Sequence, residues 1–532
     1  MDMLLEFVAV AEWPSLAWLA RCEPGNPTVT VLHGGRIEKR ANWFCEAVWA
    51  GDFAEGGFDT TDIVAGSGAR IRASRLTFVS SGSTLDRLHF MATREATWVS
   101  NSLACLLAAT GAELDITYPG YFADFYSIIQ GLERYRRQFA TSAGPAQLVY
   151  FDNLVWNGSN VVVEAKPRER RTWRQFDEYY SFLRTCMRLV AANLADSGRE
   201  HSLRMLGTLS SGYDSTTVSV LAREAGCEDV ISFDKTRKGG DDCGTMIAQV
   251  LGLRIHLIQG EGWRALEQPE PLFIASDSFG EEVHFKAAEK HLDGSVLFTG
   301  YHGDRIWGKH PPDLSDQLVR GDPSGLALTE FRLHAGFIHC PVPFWGARDI
   351  KQVSIISNSA EMKTWDIPGD YSRPICRRIA EEAGVPRELF GVRKAAASRW
   401  PCTAGEFLTP HSMDDYLQWL QERRLQWLKR WHMPPLASPT IDRLLYQGVE
   451  FAERWGGRFL KYVGNTPGLN NRFLRRLATL NYCNTPQGPW ILFLRRYLFA
   501  WAVAIVRDRY LAPLRHQAVK PQGSASSCRR QS

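Results

Sequence analysis

Between an apolar run, Leu203 to Leu209, and a helical pattern that carries Val218, Leu221, Ala222 and Ala225 on one face lies a loop of small residues, Ser210-Ser211-Gly212-Tyr213-Asp214-Ser215-Thr216. The pattern reads as strand, tight loop, helix. Small side chains let backbone N–H groups approach a ligand closely, and a helix N-terminus favours an anion there. Asp214 adds a hard oxygen ligand suited to Mg²⁺. Ser210, Ser211, Gly212, Asp214 and Ser215 are therefore expected to seat a pyrophosphate. The same composition also suits an ordinary helix cap, because Ser and Asp favour helix starts. No Gly-Lys-Ser/Thr closes the loop, so it is not of the Walker type.

The next hundred residues repeat the alternation. A strand-like run, Val230-Ile231-Ser232-Phe233, is followed by Asp241 and Asp242, a helical run through Ile247, Val250 and Leu251, and a stop at Gly252. Ile255 to Ile258 reads as another strand, Glu281 to Leu292 as a charged helix, and Val296-Leu297-Phe298-Thr299 as a strand that ends in Gly300-Tyr301-His302-Gly303-Asp304. Strands alternating with helices predict an α/β fold with a doubly wound parallel sheet. Ligands on such sheets bind at the carboxyl ends of the strands. Both Asp-bearing loops fall there, so Asp214 and Asp304 are expected to hold one Mg²⁺-pyrophosphate between them.

The first loop resembles the Ser-Gly-Gly-x-Asp-Ser loop of ATP pyrophosphatases, with Ser211 in place of the first Gly. Order and spacing resemble the synthetase domain of the asparagine synthetase family. That family's second loop, Gly-(Glu/Asp)-Gly-(Ser/Ala/Gly)-Asp-Glu, here reads Gly300-Tyr301-His302-Gly303-Asp304-Arg305. The Gly-Tyr start is similar to the β-lactam synthetase branch, where the Tyr takes part in catalysis. Val342-Pro343-Phe344-Trp345-Gly346-Ala347-Arg348 resembles Pro-Phe-Leu-Asp-x-Arg without the Asp. Leu389-Phe390-Gly391-Val392-Arg393-Lys394 resembles Ile-Leu-x-Arg-x-Lys, which makes Lys394 the implied catalytic cation and Arg393 the weaker carry-over. The resemblance spans roughly residues 30 to 410.

In that family an N-terminal glutaminase domain uses the Cys after the initiator Met. Here position 2 is Asp2 and the nearest Cys is Cys22. A nucleophile whose base is the chain's own amino terminus cannot be supplied from there. Ser83-Thr84-Leu85-Asp86-Arg87 and Thr97-Trp98-Val99-Ser100-Asn101 nevertheless resemble the last strands of that domain. The resemblance implies a retained, degenerate Ntn-hydrolase-like α+β scaffold without ammonia production, as in β-lactam synthetases and lasso-peptide cyclases.

At 532 residues the chain predicts two domains and an appendage. The expected divisions are a glutaminase-like domain over 1–165, a synthetase domain over 175–435, a helical extension over 436–519 and a disordered tail over 520–532. The boundary run Glu164-Ala165-Lys166-Pro167-Arg168-Glu169-Arg170-Arg171 is charged and carries a Pro, as linkers do. The extension, with Phe473-Leu474-Arg475-Arg476-Leu477 and Phe493-Leu494-Arg495-Arg496-Tyr497, reads as a helical layer on the core, or as a docking surface. A net charge of +4 is too small to imply nucleic acid. Leu498 to Val506 is too short to span a bilayer, and the acidic N-terminus is no signal peptide. Eleven scattered Cys without a Cys-x-x-Cys pair read as reduced thiols in a cytoplasmic protein.

The resemblance implies an ATP-dependent, AMP-forming carbon–nitrogen ligase with Mg²⁺. A small-molecule or peptide carboxylate attacks the α-phosphorus, pyrophosphate leaves, and an amine displaces AMP. Lys394 would stabilise phosphate and oxyanion charge, Ser232 and Phe233 would contact adenine, and Tyr301 would help deprotonate the amine or merely pack. Arg305 would bind a carboxylate or phosphate, or form a salt bridge. A homodimer or a pathway partner protein is compatible with this reading. The alternatives are ammonia-dependent asparagine synthesis and a non-enzymatic binding homologue.

Overall fold

The computed structural model describes residues 3–115, 118, 120–235, 242–369, 371–392, 408–431 and 492–518. Over these residues the protein is a mixed α/β molecule with three sheets. Two of them belong to the N-terminal third. A seven-stranded sheet runs in the order β1 (Leu4–Ala9), β3 (Thr28–His33), β2 (Trp18–Cys22), β9 (Thr97–Ser100), β8 (Arg87–Ala92), β11 (Ala146–Tyr150), β10 (Gln138–Phe139). A six-stranded antiparallel sheet runs β13 (Val161–Glu164), β12 (Asn153–Trp156), β7 (Arg75–Val79), β6 (Val64–Arg72), β5 (Trp43–Trp49), β4 (Glu38–Arg40).

Side-chain alternation explains how they pack. Successive residues of a strand point to opposite faces. Along β5, Phe44 joins Trp18, Val31, Phe78, Val99 and Trp156 in the core between the two sheets. Its neighbours Trp43, Cys45, Ala47 and Trp49 face a second cluster with Phe53 and Phe58. β5 is therefore buried on both faces.

The third sheet is parallel. Its order is β16 (Arg254–Ile258), β15 (Asp229–Phe233), β14 (Arg204–Thr208), β17 (Ser295–Thr299), β18 (Ile338–Pro341). The chain moves outward from β14 to β15 and β16, then returns to lay β17 on the other side of β14. The direction reverses beside β14, and such a reversal leaves a crevice at the carboxyl ends of the two diverging strands. The loop after β14 and the turn after β17 are the two segments that line it.

One expectation is revised, that of a linker over residues 164–171. The charged run after β13 is not a solvated linker. Lys166 is buried and donates to Ser80 O at 2.8 Å and Asn153 Oδ1 at 2.7 Å. Arg168 pairs with Asp316 and Asp349, and Arg171 pairs with Asp62. The run straps the N-terminal third to the parallel-sheet region. The helix Leu492–Ala518 is a helical layer on the core, as one of the two readings of the extension expects. It packs between α1 (Leu103–Thr110) and α6 (Pro271–Asp277), with Trp501 and Tyr510 fully buried. Tyr510 donates to Glu330, and Trp13 Nε1 donates to the Tyr510 carbonyl at 3.1 Å. One apolar core consequently runs from Val10 through the parallel sheet to Tyr510. The expected extension before residue 492, including Phe473 to Leu477, and the expected tail lie outside the described residues. No helix among the described residues is long and apolar enough to cross a membrane.

Candidate nucleotide and ligase site

The loop after β14 leads directly into α4 (Tyr213–Glu224). Gly212 is the N-cap and has no side chain with which to cap the first turn of α4. The loop is braced instead by its serines. Ser210 Oγ and Ser215 Oγ lie 2.8 Å apart, and Ser210 N donates to Ser215 Oγ at 3.1 Å. Gly212 N donates to Ser210 Oγ, and Thr216 Oγ1 donates to Gly212 O. Ser211 is held from outside the loop. Its hydroxyl donates to Asp242 Oδ1 at 2.5 Å, and its N–H donates to the Asp242 carbonyl. Its own carbonyl accepts from Gly391 N at 2.9 Å.

The turn after β17 is pressed against this loop. A Cβ added to Gly300 would lie 2.6 Å from Asp214 Cβ, and one added to Gly303 would lie 2.6 Å from Asp214 Cγ. Only bare α-carbons allow the two strand ends to approach this closely. Asp214 touches Gly303, whose chain neighbour is Asp304, so the turn that carries the second expected carboxylate lies against the loop that carries the first. Among the described residues no group of three or more acidic, His or Cys side chains forms a metal cage. Two carboxylates at a phosphate loop suit Mg²⁺, which is commonly held by one or two carboxylates, phosphate oxygens and water.

One functional candidate had no sequence signal. Arg373, just before α11 (Pro374–Glu382), forms an ion pair with Asp214 Oδ1. Its side chain is 7% exposed and spans the faces of Tyr213 and Tyr371. The expected metal ligand therefore already shares one oxygen with a guanidinium. Nothing around Arg373 in sequence marks it, because its partner is 159 residues away.

Ser232 and Phe233 end β15 as expected, but their side chains are engaged in the fold. Ser232 Oγ accepts from Gly244 N at 3.0 Å. The Phe233 ring meets His284 edge-on at 4.6 Å and Phe285 at 5.2 Å. Contact with a base would come from the backbone here.

Tyr301 sits edge-on to His339 at 5.5 Å, and Gly325 lies against its ring. Burial drives its phenol well above the usual value, and the charges of Glu282, Glu281 and Asp322 push it the same way. Tyr301 keeps its proton at neutral pH, which suits a hydrogen-bond donor better than a base. His302 occupies the left-handed region at φ 74° and stacks on Phe344 at 4.6 Å. Burial, followed by Arg320, pushes its imidazole down to about 3. Lys394 and Arg393 lie outside the described residues, as does Asp241. The segment preceding them reaches the loop through Gly391, whose left-handed φ of 64° places it over the Tyr213 ring.

In the N-terminal third, Cys22, Cys45 and Cys105 are all buried. Burial pushes the Cys45 thiol up to about 12 and the other two higher than their usual value, so none is poised as a thiolate. No protein-family model matches the chain, and no curated protein matches it significantly.

Proposed function

We propose that the protein is an ATP-dependent, AMP-forming carbon–nitrogen ligase, similar to the asparagine synthetase family and nearest its branch without a glutaminase Cys. On this reading the two N-terminal sheets are a degenerate Ntn-hydrolase-like scaffold, and the parallel sheet is a doubly wound synthetase domain. The observation that carries the proposal is the seating of Gly300 and Gly303 on Asp214 beside the point where the sheet reverses direction. The contact supports the reading by setting the turn that carries Asp304 against the loop after β14.

The residues have definite tasks in this reading. The first turn of α4 and the braced serines orient the triphosphate. Asp214 and Asp304 would hold Mg²⁺, which supplies charge neutralisation for the leaving pyrophosphate. Arg373 holds Asp214 in place through their ion pair. Lys394 stabilises charge at the α-phosphate and at the later oxyanion; the bond from Gly391 to Ser211 supports this, because it ties the segment leading to Lys394 to the loop. Tyr301 donates to the acyl or amine group.

Carboxylate-dependent pyrophosphate release from ATP, assayed with a panel of carboxylates, tests the reading. Asp214→Asn and Asp304→Asn are each expected to abolish the Mg²⁺-dependent signal with the circular dichroism unchanged. Near-normal release by either variant would remove that residue from the site. A second reading, a nucleotide-binding protein without turnover, is favoured by the Arg373 ion pair on Asp214. It predicts that ATP binds and is never cleaved.

A further inference from the structure

Arg305 stands where the family resemblance leads one to expect Glu, and its surroundings are unusual for a guanidinium. Among the described residues its side chain takes part in no hydrogen bond and no ion pair, and its Nε is buried without an acceptor. The group lies over the bare α-carbon of Gly321: a Cβ there would come within 3.0 Å of Nη2, Nε and Cζ. The preceding residue, Arg320, is only 4% exposed. Its guanidinium donates to two backbone carbonyls, Thr84 O at 3.4 Å and Ser324 O, and among the described residues no carboxylate is in ion-pair contact with it. Asp322, Glu282 and Asp304 act on it only at longer range. Two of these are otherwise engaged. Asp322 accepts from Ser324 N, and Glu282 accepts from Gly325 N and Ala327 N.

Buried cations without an anionic partner are costly, so such groups are ordinarily paired. The turn after β17 divides the space. Gly300 and Gly303 face Asp214 and the phosphate loop, whereas Arg305 reaches over Gly321. Gly321 belongs to a strap that pairs with the N-terminal third, where Arg320 N donates to Ile129 O and Leu132 N donates to Gln317 O.

We infer that Arg305 and Arg320, with Gly321 beneath the Arg305 guanidinium, form an anion seat for the carboxylate of the acyl substrate. The phosphates have their own donors on the other side of the turn. A planar fork of N–H groups matches a carboxylate in two places at once. The inference rests on the ligase reading only in naming that carboxylate as the acyl group.

Calorimetric titration of the full-length protein with malonate, and separately with magnesium pyrophosphate, tests it. Arg305→Gln should weaken malonate binding about tenfold or more, the loss expected for a charge-assisted contact. Gly321→Ala, which leaves Arg305 in place and displaces its guanidinium, should weaken it as well. Pyrophosphate affinity should stay within about twofold of the parent value in both variants. Absence of malonate binding to the parent protein, or unchanged binding in Arg305→Gln, would overturn the inference. Loss of pyrophosphate affinity in Arg305→Gln would overturn it too, by making Arg305 a phosphate contact. Malonate binding without carboxylate-dependent pyrophosphate release by the parent would contradict the ligase reading and leave the anion seat standing.

Discussion

Gly303 shows how little room the crevice leaves. Its φ is not in the left-handed region, so an alanine meets no backbone penalty there. Space alone forbids it, because the new methyl would fall on the Asp214 carboxylate. Gly303→Ala is expected to lower pyrophosphate release about 100-fold through a displacement of Asp214 of less than about 1 Å, with the fold retained. Steady-state rates beside a thermal melt check this, and a rate within a few fold of the parent would mean that the two strand ends need not touch. The loop serines, Asp214 and Asp304 were legible in the sequence, because small residues between a strand and a helix have a local signature. Arg373 and Arg320 were not. Each acts across more than a hundred residues of chain, on Asp214 and on the Thr84 carbonyl, and nothing in their own neighbourhoods marks them. The sequence could mark Tyr301 as a candidate. It could not reveal that burial and nearby carboxylates would hold its proton on.

Among the elements, the strap over residues 164–171 behaves least as its composition suggests. A run of charges usually marks a solvated segment, and periodicity cannot show that Lys166 turns inward. Its amine meets two acceptors, Ser80 O and Asn153 Oδ1, which match the two hydrogens of a neutral amine. Burial pushes Lys166 down to about 7 from an ordinary 10.5. Below about pH 7 both folded and unfolded chains hold the proton, and this group adds no slope. Between about 7 and 10.5 the unfolded chain holds a proton that the folded one lacks, so stability rises with pH by about 1.4 kcal/mol per unit. Lys166→Met should remove that rise. Urea unfolding of both proteins near about pH 7 and about pH 9 measures it, and a constant difference between them would mean that the folded protein keeps Lys166 charged. The helix Leu492–Ala518 was readable as a helical layer on the core, with a docking surface as the alternative. Arg495, Arg496, Arg507 and Arg509 interrupt its apolar residues, so its sequence suits a buried helix and a surface-seeking one equally.

Across the whole molecule one apolar interior joins the N-terminal third to the parallel-sheet region. Arg332, on the helix α9 (Leu328–Ala335), pairs with Glu46 of β5 at 2.7 Å and with Asp86 at 3.0 Å, all three buried. Glu46 also accepts from Ser67 Oγ and Asn101 Nδ2. Arg332→Met leaves two buried carboxylates without their cation and is expected to cost about 3–5 kcal/mol. The N-terminal third and the parallel-sheet region should still melt in one transition, because they share one core. Two resolved transitions in calorimetry would contradict that. The parallel sheet was legible from its alternating apolar runs, whereas the two N-terminal sheets were suggested only by resemblance. Their strands are buried on both faces in places, as β5 is, and so lose the simple alternation that would announce them.

The central claim, that the crevice between the loop after β14 and the turn after β17 seats the phosphates of ATP, can be tested without knowing the substrate. The measurement is equilibrium binding of α,β-methylene-ATP with Mg²⁺ to the full-length protein, with pyrophosphate as competitor. The parent protein should bind the analogue, pyrophosphate should displace it, and both Asp214→Asn and Gly303→Ala should weaken it about tenfold or more. Binding that survives both substitutions unchanged, or that pyrophosphate does not displace, would contradict the account.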